Sequence, residues 1–189
     1  MPDHRLPPLQ TPRLTLRTLT DGDVPALYDI FSHPEVVRYW STPALPDPAA
    51  AGQLLREIHD YARSGGLMQW GIARREDGLV IGTCTLAEID RTHRRAEVGF
   101  ALGYPYWRKG YARETLVRLL RHAFGEMNLN RLEADVDPRN AASLKTLGQL
   151  GFEREGYLRE RWRVHGEVQD SVLLGLLAAT WRAAQDPNP

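Results

Sequence analysis

The residues that most constrain this chain are Leu102-Gly-Tyr-Pro-Tyr-Trp-Arg-Lys-Gly-Tyr-Ala-Arg-Glu114. They pass from a strand pattern through a basic, glycine-containing loop directly into a helix. Such a junction leaves the first backbone N–H groups of the helix without intrahelical partners, at the positive end of its dipole. Gly110 lets the backbone approach an anion closely, and Arg108, Lys109 and Arg113 add positive charge. The segment therefore reads as a cradle for phosphate or pyrophosphate. The plainer reading is a tight strand–helix turn with surface bases. It is neither a P-loop, since no G-x-x-x-x-G-K-[ST] occurs, nor a dinucleotide fingerprint.

Hydrophobic periodicity places other elements around this junction. Strands are expected over Arg13–Leu19, Met68–Arg75, Leu79–Ile89, Arg95–Leu102, Arg131–Val136, Phe152–Trp162 and Val168–Leu177. Asp77-Gly78 supplies one hairpin turn and His165-Gly166 the last. Helices are expected over Val24–Phe31, Ala49–Ser64, Ala112–Glu126 and Asn140–Leu150, the first stopped by Ser32-His33-Pro34 and the second by Gly65-Gly66. This order fits one mixed α+β domain over residues 11–182. A Pro-rich extended arm precedes it (1–10) and a short tail follows (183–189).

The 189 residues balance 24 Lys plus Arg against 24 Asp plus Glu, without the basic footprint of a general nucleic-acid binder. The longest apolar stretch, Val172–Trp181, is about half the ~20 residues that span a bilayer. The start, MPDHRLPPLQTPR, has no apolar signal core. A single cysteine, Cys84, fits a reducing cytoplasm and reads as a buried, inert thiol. The histidines are scattered without metal-ligand spacing, so no metal is expected. Charge is uneven along the chain, however. Residues 20–60 carry seven acids and two bases, whereas residues 91–163 carry fifteen bases and nine acids. The first segment suits a cationic ligand and the second an anionic one, unless both are simply solvated faces.

A second constellation lies in Asp137-Pro-Arg-Asn140-Ala-Ala-Ser143-Leu144 followed by Leu150-Gly-Phe152. Here a strand end places Asn140 at a helix start and Ser143 one turn on, where both can face one cleft. Asn140 can hydrogen-bond amides of an extended ligand, and Ser143 can give a proton to a leaving atom. Equally, Asn is a preferred N-cap and Ser is common in first turns.

In this order, the segments resemble the GNAT acetyltransferase superfamily. Trp107-Arg-Lys-Gly-Tyr-Ala112-Arg-Glu114 resembles its acetyl-coenzyme A pyrophosphate loop, and Asn140 to Ser143 through Leu150-Gly-Phe152 its next motif. Thr11-Pro-Arg-Leu-Thr-Leu-Arg17, His33-Pro-Glu-Val-Val-Arg-Tyr39, Ala96-Glu-Val-Gly-Phe100 and the Gly166–Asp170 hairpin resemble the bacterial branch of ribosomal-protein N-terminal (alanine/serine) acetyltransferases. The resemblance implies a mixed, mostly antiparallel sheet of about seven strands flanked by helices. It implies acetyl-CoA as donor, held by Leu102, Arg108, Lys109, Gly110, Tyr111, Ala112, Arg113, Asn140 and Ser143. The acceptor it implies is an amine, foremost a protein or peptide N-terminus, and the expected assembly is a monomer or homodimer with no nucleic acid or membrane involved.

For the chemistry, amine attack on a thioester needs a proton acceptor, an oxyanion donor and an acid for the thiolate. Glu97 on the expected active-site strand is the first candidate base, with Glu160 and Asp170 behind it. A backbone N–H from Val98–Leu102 is the candidate oxyanion donor, and Ser143 the candidate acid. Tyr39, Trp40 and Glu35 are candidate acceptor-binding residues, and Tyr104, Tyr106 and Trp107 can flank that pocket. Two positions depart from the superfamily pattern: Trp107 replaces a loop-initial Gln or Arg, and Leu147 stands where many members carry a tyrosine acid. Two rival functions follow, a small-molecule amine acetyltransferase of aminoglycoside or polyamine type and a non-catalytic CoA-binding module.

Overall fold

A computed structural model of the protein describes residues 6–164 and 166–185. His165 of the expected last turn, and the outer ends of the arm and tail, lie outside these residues. The described chain begins with β1 (Leu9–Gln10), β2 (Leu14–Arg17), α1 (Val24–Phe31), α2 (Pro34–Val37) and α3 (Pro48–Arg63). The meander β3 (Leu67–Arg74), β4 (Val80–Asp90) and β5 (Arg95–Leu102) leads into α4 (Tyr111–Arg121). Then come β6 (Arg131–Val136), α5 (Ala141–Gly148), the hairpin β7 (Glu153–Val164) and β8 (Glu167–Leu177), and α6 (Ala178–Gln185).

The strands form one eight-stranded sheet in the order β1-β2-β3-β4-β5-β6-β8-β7. Neighbours are antiparallel except β5 and β6, which run parallel across the α4 crossover. Alternation along the strands divides the apolar residues between two cores. Trp70, Ile72, Cys84, Leu86 and Val98 share one core with Leu116, Leu119 and Leu120 of α4 and Trp181 of α6. Leu67, Ala73, Val80 and Ala101 share the other with Leu27, Ile30 and Phe31 of α1 and Leu55 and Ile58 of α3. Leu119 is fully buried. Leu119→Ala is expected to destabilise the fold by about 2–5 kcal/mol, through lost transfer energy and the cavity left behind. The denaturation midpoint in urea should fall accordingly.

The structure departs from the periodicity in four places. An eighth strand, β1, lies in the expected arm; a strand of two residues is too short to show a period. Leu9 pairs with Leu16, and Trp70 Nε1–H donates to Pro7 O at 3.0 Å. Pro34 stops α1 but also begins α2, because proline suits a first helical position and His33 Nδ1 accepts the Glu35 N–H. The helix expected to reach Glu126 is regular only to Arg121. It continues as a π turn over His122–Glu126, closed by Met127 N–H to His122 O at 2.9 Å. Finally, α6 follows β8 without a break and seats Trp181 in the core.

Candidate active site

The site originates in a parting of strands. β5 and β6 pair only at Arg95↔Arg131, Ala96↔Leu132 and Glu97↔Glu133. Beyond Glu97, β5 stays bonded to β4 as far as Leu102, and β6 to β8 as far as Val136. The two strands therefore diverge into a wedge. A register shift in β4 between Ala87 and Asp90, with Glu88 at φ +48°, lies level with the last pair. A bulge raises local twist, which favours the divergence. Along the wedge, N–H and C=O groups of β5 and β6 face a gap instead of a neighbouring strand.

A cleft of about 330 Å³ fills this wedge. Glu97 stands at its apex; Val98–Phe100 and Ala134–Val136 form its sides, and Asn140, Ser143 and Leu147 of α5 one wall. Tyr39 and Trp40, just after α2, and Trp162 of β7 are also part of its lining. Thus Glu97, Ser143, Asn140, Tyr39 and Trp40, drawn from distant parts of the sequence, meet in one cavity. Asn140 Oδ1 caps α5 by accepting the Ser143 N–H at 3.1 Å, so the capping role is realised and the amide N–H₂ remains available. Ser143 is half-buried, and its hydroxyl has no hydrogen-bond partner among the described residues.

The electrostatics separate the carboxylates. Burial pushes the Glu97 pKa up, and the negative charges of Asp135, Glu88 and Glu133 push it further, against the opposing pull of Arg161. A carboxylate held above its ordinary range is suited to accept a proton near neutrality. Asp170 also lines the cleft, but the Tyr157 hydroxyl and the Glu160 N–H satisfy it and hold its pKa down. Asp137 is desolvated, yet hydrogen bonds from Arg139 outweigh that and keep its pKa low. Glu160 is exposed and does not line the cleft.

The basic loop takes up the geometry of an anion cradle. Arg108 (φ +59°) and Gly110 (φ +79°) are left-handed, and Gly110 caps α4. The first bond of the helix is Glu114 N–H to Gly110 O, which leaves the N–H groups of Tyr111, Ala112 and Arg113 free of intrahelical partners. Arg108, Lys109 and Arg113 are exposed beside them. Leu102 ends β5 with its carbonyl bonded to Trp107 Nε1 at 2.7 Å, which anchors the loop to the strand.

The sequence model of the Acetyltransferase (GNAT) domain family matches residues 13–153. This chain belongs to the GNAT acetyltransferase family. It is 37% identical over 169 residues to the uncharacterized N-acetyltransferase p20 of Bacillus licheniformis, covering 89% of this chain and 95% of that protein. Over 179 residues it is 25% identical to the [ribosomal protein uS5]-alanine N-acetyltransferase of Escherichia coli, covering 92% of each chain. The fold matches that of spermidine N-acetyltransferase from Vibrio cholerae, solved with CoA and spermine, with a TM-score of 0.79 and 23% identity. That match covers 91% of this chain and 99% of the other. As a GNAT enzyme the protein is an acetyl-CoA-dependent N-acetyltransferase.

Other expected features of this GNAT chain fall elsewhere. Glu35 lies outside the cleft, ion-paired with Arg38 at 3.4 Å on an exposed turn. The acidic excess of residues 20–60 is largely spent locally: Asp23 pairs with Arg17, Asp60 with Arg63, and Asp47 caps α3. Tyr104 and Trp107 pack on each other, with Tyr104 stacked on His33, and line no part of the cleft; Tyr106 lies near Lys109. Sequence reading also missed a clamp beneath the GNAT loop. Arg13 pairs with Glu114 at 2.6 Å, donates to Lys109 O at 3.0 Å and covers the Tyr111 ring. Thr11 Oγ1 donates to the same glutamate. These partners are about a hundred residues apart, beyond the reach of any local pattern.

Proposed function

We propose that this enzyme acetylates the N-terminal amine of a peptide or protein, with Glu97 as proton acceptor and Ser143 as proton donor. The observation that carries the reading is the wedge itself, with a carboxylate of raised pKa at its apex and an unengaged hydroxyl on its wall. The α4 loop, Arg108, Lys109, Gly110, Tyr111, Ala112 and Arg113, would hold the pyrophosphate of the donor. Leu102, the free β5 edge, Asn140 and Ser143 would line the arm that leads from it into the wedge.

In this scheme the amine nitrogen forms a bond to the acetyl carbon and the carbon–sulfur bond breaks. The proton lost by the amine passes to Glu97 and on to solvent. Ser143 gives its proton to the departing sulfur and regains one from water. A backbone N–H of Val98–Leu102 facing the wedge is the group suited to the transient oxyanion.

Charge supports a single ammonium over a polyamine. Glu97, Asp135, Asp137 and Asp170 line the cleft with no Lys, Arg or His among them. However, Asp137 is paired with Arg139, Asp135 lies 3.6 Å from Arg161, and Asp170 is fully hydrogen-bonded. Two of the four acids are thus matched by arginines and the oxygens of Asp170 are already engaged, which leaves fewer open acceptors for a second or third ammonium. The resemblance to the uS5-alanine enzyme supports the same acceptor class, and the spermidine enzyme marks the alternative. A thiol-release assay with acetyl-CoA against peptides and polyamines tests the reading; turnover of polyamines alone overturns it. Ser143→Ala should lower kcat by about 10²-fold and leave coenzyme A affinity, read by calorimetry, unchanged.

A further inference from the structure

A second cavity, of about 530 Å³, adjoins the cleft beneath α3 and the loop that precedes it. Its walls include Phe31, Val37, Trp40, Leu45 and Leu54, and its exposed surface is mainly apolar. Trp40, Thr85, Glu97 and Gly99 line both cavities, so the apolar space opens onto the apex of the wedge. The only charged residues on its lining are two acids, Glu57 and Glu97.

We infer that this cavity receives the side chain of the acceptor's first residue, and that the enzyme prefers peptides beginning with a large apolar residue. The inference rests on the peptide reading above and extends it. Continuity fixes the occupant: whatever presents an amine to Glu97 from the wedge has the apolar cavity next to that amine. Charge complementarity agrees, because the lining carries no cation to repel an ammonium and buries no free cation that would call for an acidic side chain. The volume exceeds that of any single apolar side chain, so leucine, methionine and phenylalanine all fit. Alanine and serine would leave most of the space empty and forgo burial worth about 1–3 kcal/mol per apolar group, or roughly 10–200-fold in discrimination.

The test compares kcat/KM for peptides identical except at the first residue (Leu, Phe, Ala, Ser, Asp, Lys), together with leucinamide and alaninamide. Leu- and Phe-initiated peptides should exceed Ala- and Ser-initiated ones by about tenfold or more, mainly through KM. Ala50→Trp, which projects an indole from the first turn of α3 into the cavity, should bring the Leu/Ala ratio close to one. A melting curve checks that this variant is folded, and Leu54→Ala, which enlarges the same space, should shift preference from Leu towards Phe. A ratio near or below one in the wild type overturns the inference, as does a ratio that a folded Ala50→Trp protein leaves unaltered. Turnover of amides but of no peptide defeats the peptide reading alone, and the leucinamide/alaninamide ratio then decides the cavity separately. No turnover of any acceptor overturns both.

Discussion

Glu97→Gln should lower kcat by about 10²–10⁴-fold, the range expected for loss of a positioned general base. The amide is nearly isosteric, so the fold and coenzyme A affinity should be preserved. The pH profile makes the test specific. The base acts only when deprotonated, so wild-type kcat should fall as pH drops through the Glu97 pKa. Burial and the negative charges of Asp135, Glu88 and Glu133 raise that pKa, so the falling limb lies above the ordinary carboxylate range. Asp135→Asn removes one of those charges and should move the limb to lower pH, because the proton is then held less tightly. A limb that stays in place in Asp135→Asn, or persists in Glu97→Gln, assigns it to another group.

The second large effect is expected at the donor loop. Gly110→Asp places a Cβ at φ +79°, about 3.4 Å from Arg13 Nη2, and adds negative charge where the pyrophosphate is expected. Charge-assisted hydrogen bonds contribute about 1.5–3 kcal/mol each, so losing two should weaken coenzyme A by about 100-fold or more. Gly110→Ala carries the strain without the charge and should show a smaller loss. Calorimetry on the three proteins separates the terms; equal affinities would remove this loop from donor binding.

Much of this architecture is legible in the residues because it is written locally. Leu116, Leu119 and Leu120 announce one buried helical face, and Asp77-Gly78 a hairpin. The left-handed Gly110 at the head of a basic helix follows directly from the sequence Arg-Lys-Gly-Tyr-Ala-Arg. What escapes is whatever depends on register or on very short elements. β1 has two residues, and α2 begins at the proline that ends α1. The charge of the cleft is the clearest case. The acidic run 20–60 includes Glu35 and Asp47, but one is matched by Arg38 three residues on and the other caps its own helix. Two of the acids that do reach the wedge, Glu97 and Asp135, sit on different strands, brought together by the parallel register of β5 and β6. No count along the chain contains that register.

The meagre pairing of β5 with β6 has a thermodynamic consequence. The antiparallel meander β1–β5 and the three-stranded unit β6-β8-β7 are joined within the sheet by three residue pairs. A donor held as proposed, at the α4 loop, the β5 edge and the start of α5, would supply links between these half-sheets that the polypeptide itself omits. Occupancy is thereby coupled to cohesion. At 100 times its dissociation constant, a ligand bound only by the native state adds about 2.7 kcal/mol to stability. In that arrangement the increment falls on a seam of only three backbone pairs. The resistance of the fold to unfolding would then be a function of acetyl-CoA concentration, and the metabolite that feeds the reaction would also hold its catalyst together.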